Sequence, residues 1–187
     1  TVSLFAQIRE DRRGMSQGPQ NAMVITLPNT TEKVVEEVWK DFMKEYKAKP
    51  KYDRKQREHF SDDAEISLLR SSNPTVDVYA NIEERGSNVD FTLWIDLGGS
   101  FLSSKEHPDQ YRDGEKLLMS FALEVARAEV NIELEEQGKE LKKLESTLKK
   151  LQNDQEQYEK EIQNAKERIA KAEKDIEENQ KEQESIN

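Results

Sequence analysis

Between Lys44 and Arg57 the chain sets Lys44, Lys47, Lys49, Lys51, Arg54, Lys55 and Arg57 around Tyr46 and Tyr52. Cations interleaved with aromatic rings suit an acidic partner, by ion pairing at the rim and ring contact beneath. The same residues would also complement a helix C-terminus and guard a strand edge against stray pairing, and both readings stand at this point. Tyr79 and Trp94 form a second candidate surface, because both fall on the polar phase of alternating segments and would make an exposed aromatic pair on a bare sheet face. His59 lies in EHFSDDAE beside Asp62 and Asp63, and His107 precedes Pro108; neither matches a known cation loop, and both read as polar surface turns. No nucleophile motif, phosphate-cradling glycine loop or paired-histidine spacing occurs. Catalysis, a cofactor and a resident metal are therefore not expected.

Composition narrows the classes further. Hydrophobic residues make up 34% of the chain and charged residues 36%, too poor a ratio for one compact globule of 187 residues. A small core must coexist with a solvated extension, and a boundary near Glu133 separates them: Trp39 and Trp94 lie before it, whereas Tyr158 is the sole aromatic after it. The formal charge of −10 opposes general affinity for nucleic acid or an anionic membrane surface. Cysteine is absent, which removes disulfides, thiolate metal sites and thiol nucleophiles together. No stretch approaches the roughly 20 apolar residues that span a bilayer. Thr1 to Gln7, TVSLFAQ, reads as the end of a signal peptide cut between Ala6 and Gln7, so a periplasmic or secreted protein is expected.

These candidates need elements to hold them. Residues 1–21 read as a signal-peptide remnant followed by a charged, aperiodic, flexible leader. Met23 to Leu27 is a short buried-type strand closed by Pro28, after which Asn29, Thr30 or Thr31 can cap a helix, with Glu32 suiting a capping box from Asn29. Val34, Val35, Val38, Trp39, Phe42 and Tyr46 fall on one side of that helix, which should end before Pro50. Val76, Val78, Ala80 and Ile82 alternate with polar residues, as do Val89, Phe91, Leu93, Ile95 and Leu97 beyond Gly86-Ser87-Asn88, so the two runs form an antiparallel hairpin. Lys51 to Arg57 and Glu65 to Leu69 are weaker strands, with Asn73-Pro74 as a turn. Pro108 or Asp113 opens a last helix whose first turns, through Leu118, Phe121, Val125, Ala128 and Ile132, pack on the sheet.

The expected fold is α+β: an antiparallel sheet of about four to five strands, helices on one face, β-α-β-β-β-β-α order, and a long C-terminal coiled-coil helix. That order over residues 22–132 resembles the half-repeat of the TATA-binding-protein fold, which recurs in small exported proteins of Bacteroidetes. The TVSLFAQ start is similar to signal-peptide ends of that phylum. The resemblance supplies no motif residue, so no functional position transfers. DNA binding does not transfer either, because the wedge aromatics that unstack base steps have no counterpart here.

Residues 133–187 carry a sustained heptad without proline. With Leu134 as position a, Leu141, Leu148, Ile162, Ile169 and Ile176 follow at a, while Leu144, Leu151, Tyr158 and Ile186 stand at d. A stripe of this kind calls for a second helix. Gly138 interrupts the good helix formers and is a candidate soft point. In a parallel, in-register self-pair Glu161 meets Lys166 and Arg168 meets Glu173, against repulsion at Glu140 with Glu145 and Asp154 with Glu159. An antiparallel self-pair sets mostly acids against acids, so a parallel homo-oligomer is expected; a basic-flanked heteromeric partner stays open. Helical from Lys116 to Ile186, the rod would reach roughly 100 Å. The functional expectation is a non-enzymatic interaction or assembly protein showing a small α/β head on a stalk. The alternative is a ligand-binding module with its pocket between helix and sheet.

Overall fold

The computed structural model describes residues 7–69 and 74–186, and the chain divides into two compact units, Thr1–Glu133 and Leu134–Asn187. The proposed signal-peptide end and the Asn73 half of the expected turn lie outside the described residues, as does the side chain of Ile186. The first unit is an α+β head. Its strands are β1 (Arg9–Met15), β2 (Gly18–Pro28), β3 (Lys51–Asp53), β4 (Glu58–Ala64), β5 (Val76–Arg85) and β6 (Asn88–Asp96). The helices are α1 (Glu32–Glu45) and α2 (Pro108–Ile186), the second running on into the other unit. All six strands join one antiparallel sheet in the order β1-β2-β6-β5-β4-β3.

Two strands depart from the expected pattern. Residues 8–21 are no flexible leader: β1 pairs with β2 from Arg9 opposite Val24 to Met15 opposite Gly18, closing on Ser16-Gln17 with Gly18 at φ 88°. An edge strand built from Arg9, Glu10, Asp11, Arg12 and Arg13 has no apolar alternation to reveal it, since charge is what protects such an edge. The stretch expected as a polar surface turn around His59 is strand β4, sandwiched between β3 and β5. It buries polar residues on both faces, His59 and Ser61 toward the helices and Glu58 away from them, so hydrophobic periodicity could not mark it. Conversely Glu65 to Leu69 is no strand but a loop leading into a 3₁₀ turn over Ser67–Leu69, and only Lys51–Asp53 of the expected Lys51 to Arg57 strand pairs.

The β5–β6 hairpin forms in the expected register, with Val78 opposite Ile95 and Ile82 opposite Phe91, and Gly86 at φ 66° turns the corner. Thr31, not Asn29, caps α1 by accepting from the Val34 backbone N–H at 3.4 Å. Asn29 is instead held at φ 51° in the connection from β2. One face of α1 buries Val35, Trp39, Phe42 and Met43, and the first turns of α2 bury Leu117, Leu118, Phe121 and Val125, all against Ile25, Phe91, Leu93 and Val78 of the sheet. At their meeting point Trp39, Phe91 and Phe121 lie 4.5 to 5.1 Å apart, ring centre to ring centre. Gly114 lets α2 come close: a Cβ there would lie 2.8 Å from Leu102 and 2.9 Å from Met23. Thr30 Oγ1 donates to Glu129 and ties the head portion of α2 to the start of α1. Ile132, expected in the packed stripe, is instead 41% exposed, because the sheet no longer lies beneath it.

His59 faces the same side as α1. It is 3% exposed, its ring lies 4.7 Å from that of Tyr52, and its Nδ1 has no partner. Burial lowers its pKa from the usual 6.5, with Glu36 pulling upward and Lys40 downward. A buried neutral imidazole costs nothing above the unfolded value; as pH falls below it the unfolded chain takes the proton first, and stability is lost. Urea denaturation of the head at pH 7.5 and pH 5 is expected to show a smaller loss of midpoint on acidification in His59→Phe than in the wild-type chain. Equal losses in both would remove His59 as the cause.

Candidate functional site

Two surfaces gather the residues singled out by type and spacing. The first is on the sheet face away from the helices. Tyr79 and Trp94 are cross-strand partners on that face, but they are not an exposed pair: they are 6% and 3% exposed and pack with Ala22, Met15, Phe60 and Phe101 in a core of their own. What covers them is the segment expected to be a leader, together with Phe101. The β1–β2 turn reaches over β4 and β5, where Gln17 Nε2 donates to the Tyr79 hydroxyl at 2.5 Å. Ser16 donates to Glu58 from both its hydroxyl, at 2.6 Å, and its backbone N–H, at 3.2 Å. Phe60 stacks on Tyr79 at 4.7 Å.

Beside this second core runs a groove of about 660 Å³ lined by Ser16, Lys51, Asp53, Arg54, Lys55, Glu58, Phe60 and Tyr79, with Tyr52 at its side. The fold thus brings Lys51, Arg54 and Lys55 of the basic run to Tyr79, an adjacency that sequence separation hides. It does not bring Lys47 or Arg57. Lys47, at φ 56° just past α1, is engaged by Glu65 at 2.8 Å, and Arg57, at φ 54° in the β3–β4 turn, uses its carbonyl to accept from Asn81 and does not line the groove. Trp94 is likewise outside it.

The second surface is the apolar stripe of the C-terminal unit. Leu134, Leu141, Leu144, Leu148, Leu151, Tyr158, Ile162, Ile169 and Ile176 are each between 55 and 65% exposed. The helix continues through Gly138, where an added Cβ would meet nothing within 4 Å. In the head, sequence reasoning missed two exposed apolar residues in the same heptad phase: Leu123 and Val130, 52% and 64% exposed, stand two heptads and one heptad before Gln137 in the sequence. The heptad count itself marks them, but the buried series beginning at Leu118 draws the eye to the other side of the helix. Within the C-terminal unit the charged pairs formed are Lys174 with Glu178 and Lys181 with Glu177, supported by Gln155 with Glu159 and Gln163 with Glu167.

Two smaller clusters offer less. Asp62, Asp63 and Asp77 gather at the bulge in β4, where Asp77 accepts the Asp63 N–H, Asp63 accepts the Thr75 hydroxyl, and burial leads the upward shift of the Asp77 pKa. Internal donors meet Asp63 and Asp77, and exposed acids of this kind need no ion. Ser100 Oγ lies 3.2 Å from His107 Nε2, but His107 Nδ1 is buried without a partner, so no carboxylate orients the ring as a nucleophile's base requires.

No protein-family model matches the chain, and no curated protein does. Among solved structures, CalU16 from Micromonospora echinospora is similar over 63% of this chain and 81% of its own, at 13% identity and a TM-score of 0.38. A likeness of that degree carries no functional argument.

The Glu58–Ser16 contact generates a direct test. A buried carboxylate loses a charge-assisted hydrogen bond when its hydroxyl donor is removed, at a cost of about 1.5 to 3 kcal/mol. Ser16→Ala is therefore expected to destabilise the head by about that much in urea titrations, and near-neutrality would show that the turn is not pinned to β4.

Proposed function

We propose that the chain is a non-enzymatic interaction or assembly protein, an α+β head carried by a C-terminal helix whose apolar stripe is covered by a second helix. The single observation that supports this reading is the exposure of every leucine and isoleucine of the stripe from Leu134 to Ile176. Burying a Leu or Ile side chain stabilises by about 1.5 to 3 kcal/mol, and a heptad repeat presents these side chains in the one arrangement that a neighbouring helix can bury together. Association with a second copy, parallel and in register, is the arrangement that the charges at Glu161 with Lys166 and Arg168 with Glu173 favour. The leucines from Leu141 to Leu151 would grip most firmly, since farther along Ala165 and Ala172 thin the seam. The Phe5-Ala6-Gln7 processing pattern would set this pairing in the cell envelope.

Against the alternative, a pocket between helix and sheet, Trp39, Phe42, Phe91 and Phe121 fill the centre of that layer. Sedimentation equilibrium of the full chain at tens of micromolar tests the assembly reading. A mass well above 21.8 kDa is expected, with Leu144→Lys weakening association by at least about tenfold and Lys150→Glu having little effect. A wild-type chain that stays at 21.8 kDa across the concentration range would overturn self-pairing.

A further inference from the structure

The groove on the far face of the sheet combines cations, aromatic rings and internally hydrogen-bonded carboxylates. Lys51, Arg54 and Lys55 stand at its rim, and half-buried Phe60, stacked on buried Tyr79, forms an aromatic floor. Two carboxylates also reach it, but both are engaged from within: Glu58 accepts from Ser16, and Asp53 Oδ1 accepts the backbone N–H groups of Lys55 and Gln56. None of the three cations has a carboxylate partner among the described residues, in a chain whose formal charge is −10. Three cations against two carboxylates leave the groove with a formal excess of one positive charge, local on so acidic a molecule. Guarding the β3 edge would account for Lys51. It requires neither charges in the turn beyond the strand nor a concave floor of rings.

The geometry points to this groove as a docking site for an extended, carboxylate-rich peptide segment of another protein. Its acids would meet Lys51, Arg54 and Lys55, and an apolar side chain would lie over Phe60. Charge complementarity selects this occupant over nucleic acid. A long polyanion continues past the groove and meets the acidic remainder of the chain, whereas a short acidic peptide confines its charge to the three cations. Cation and ring contacts at one site also suit a peptide that alternates acidic and aromatic side chains. The site is separate from the helical stripe and stands whether or not that stripe pairs.

Fluorescence anisotropy of the full chain tests the inference, using a fluorescein-labelled peptide of alternating glutamate and phenylalanine. A single-stranded oligonucleotide of equal charge and a lysine peptide of equal length run beside it. The acidic peptide is expected to saturate at low salt and to weaken as salt rises. The Lys51→Glu/Arg54→Glu double variant should reduce affinity at least about tenfold, Lys55→Glu should weaken it in the same direction, and Lys150→Glu should leave it unchanged. Unaltered melting of the variants would show that the loss is not misfolding. The absence of saturable binding at low salt, tighter binding of the oligonucleotide, or equal affinity in the wild-type and double-variant chains would each overturn the proposal.

Discussion

Trp39 from α1 meets Phe91 from β6 and Phe121 from α2 edge to face, those two rings tilt against each other, and the placement of the rest of the head follows from that cluster. Rings of this size bury the largest areas in a small core and prefer tilted approaches, so they set spacing and angle together. With α1 and the first turns of α2 held over β6 and its neighbours, the sheet gains a dry face from Ile25 to Val78. Gly114 permits the close approach of α2 over Met23, and the Thr30 to Glu129 hydrogen bond secures the helix farther on.

Covering one face leaves an antiparallel sheet the choice of a wet or a dry second face. Here the second is dry at its centre. The β1–β2 turn folds across Tyr79 and Trp94, and the energetic condition for doing so is that Glu58, trapped beneath, receives the two hydrogen bonds of Ser16. The same contact engages Glu58 of the neighbouring groove, and Asp53 accepts backbone N–H groups of its own turn. The groove's cations are left facing solvent without carboxylate partners among the described residues, on a chain rich in Asp and Glu.

The C-terminal unit obeys the opposite logic. Its helix has hydrogen-bonded backbone and charged flanks, so it can persist in water, but its Leu and Ile stripe gains nothing until another surface removes it from solvent. Head and helix thereby divide the work: the first buries its apolar residues by itself, and the second holds them in a row for something else. The proposed assembly role rests on that contrast.

Much of this was legible in the residues themselves. Period-two runs at Val76 and Val89 marked the central hairpin, three-to-four spacing marked the buried face of α1, and the heptad marked the C-terminal stripe, because each pattern repeats the geometry of a single element. Strands β1 and β4 left no such trace. One is a charged edge and the other buries Glu58, His59 and Ser61, so their membership in the sheet depends on partners distant in the chain, not on their own periodicity. The burial of Tyr79 and Trp94 and the meeting of Tyr79 with Lys51 and Arg54 were likewise decided by folding, since each needs a turn from the other end of the chain or a neighbour across β4. Local sequence determines which side of an element is apolar; only the packing of all six strands and two helices determines what lies against that side.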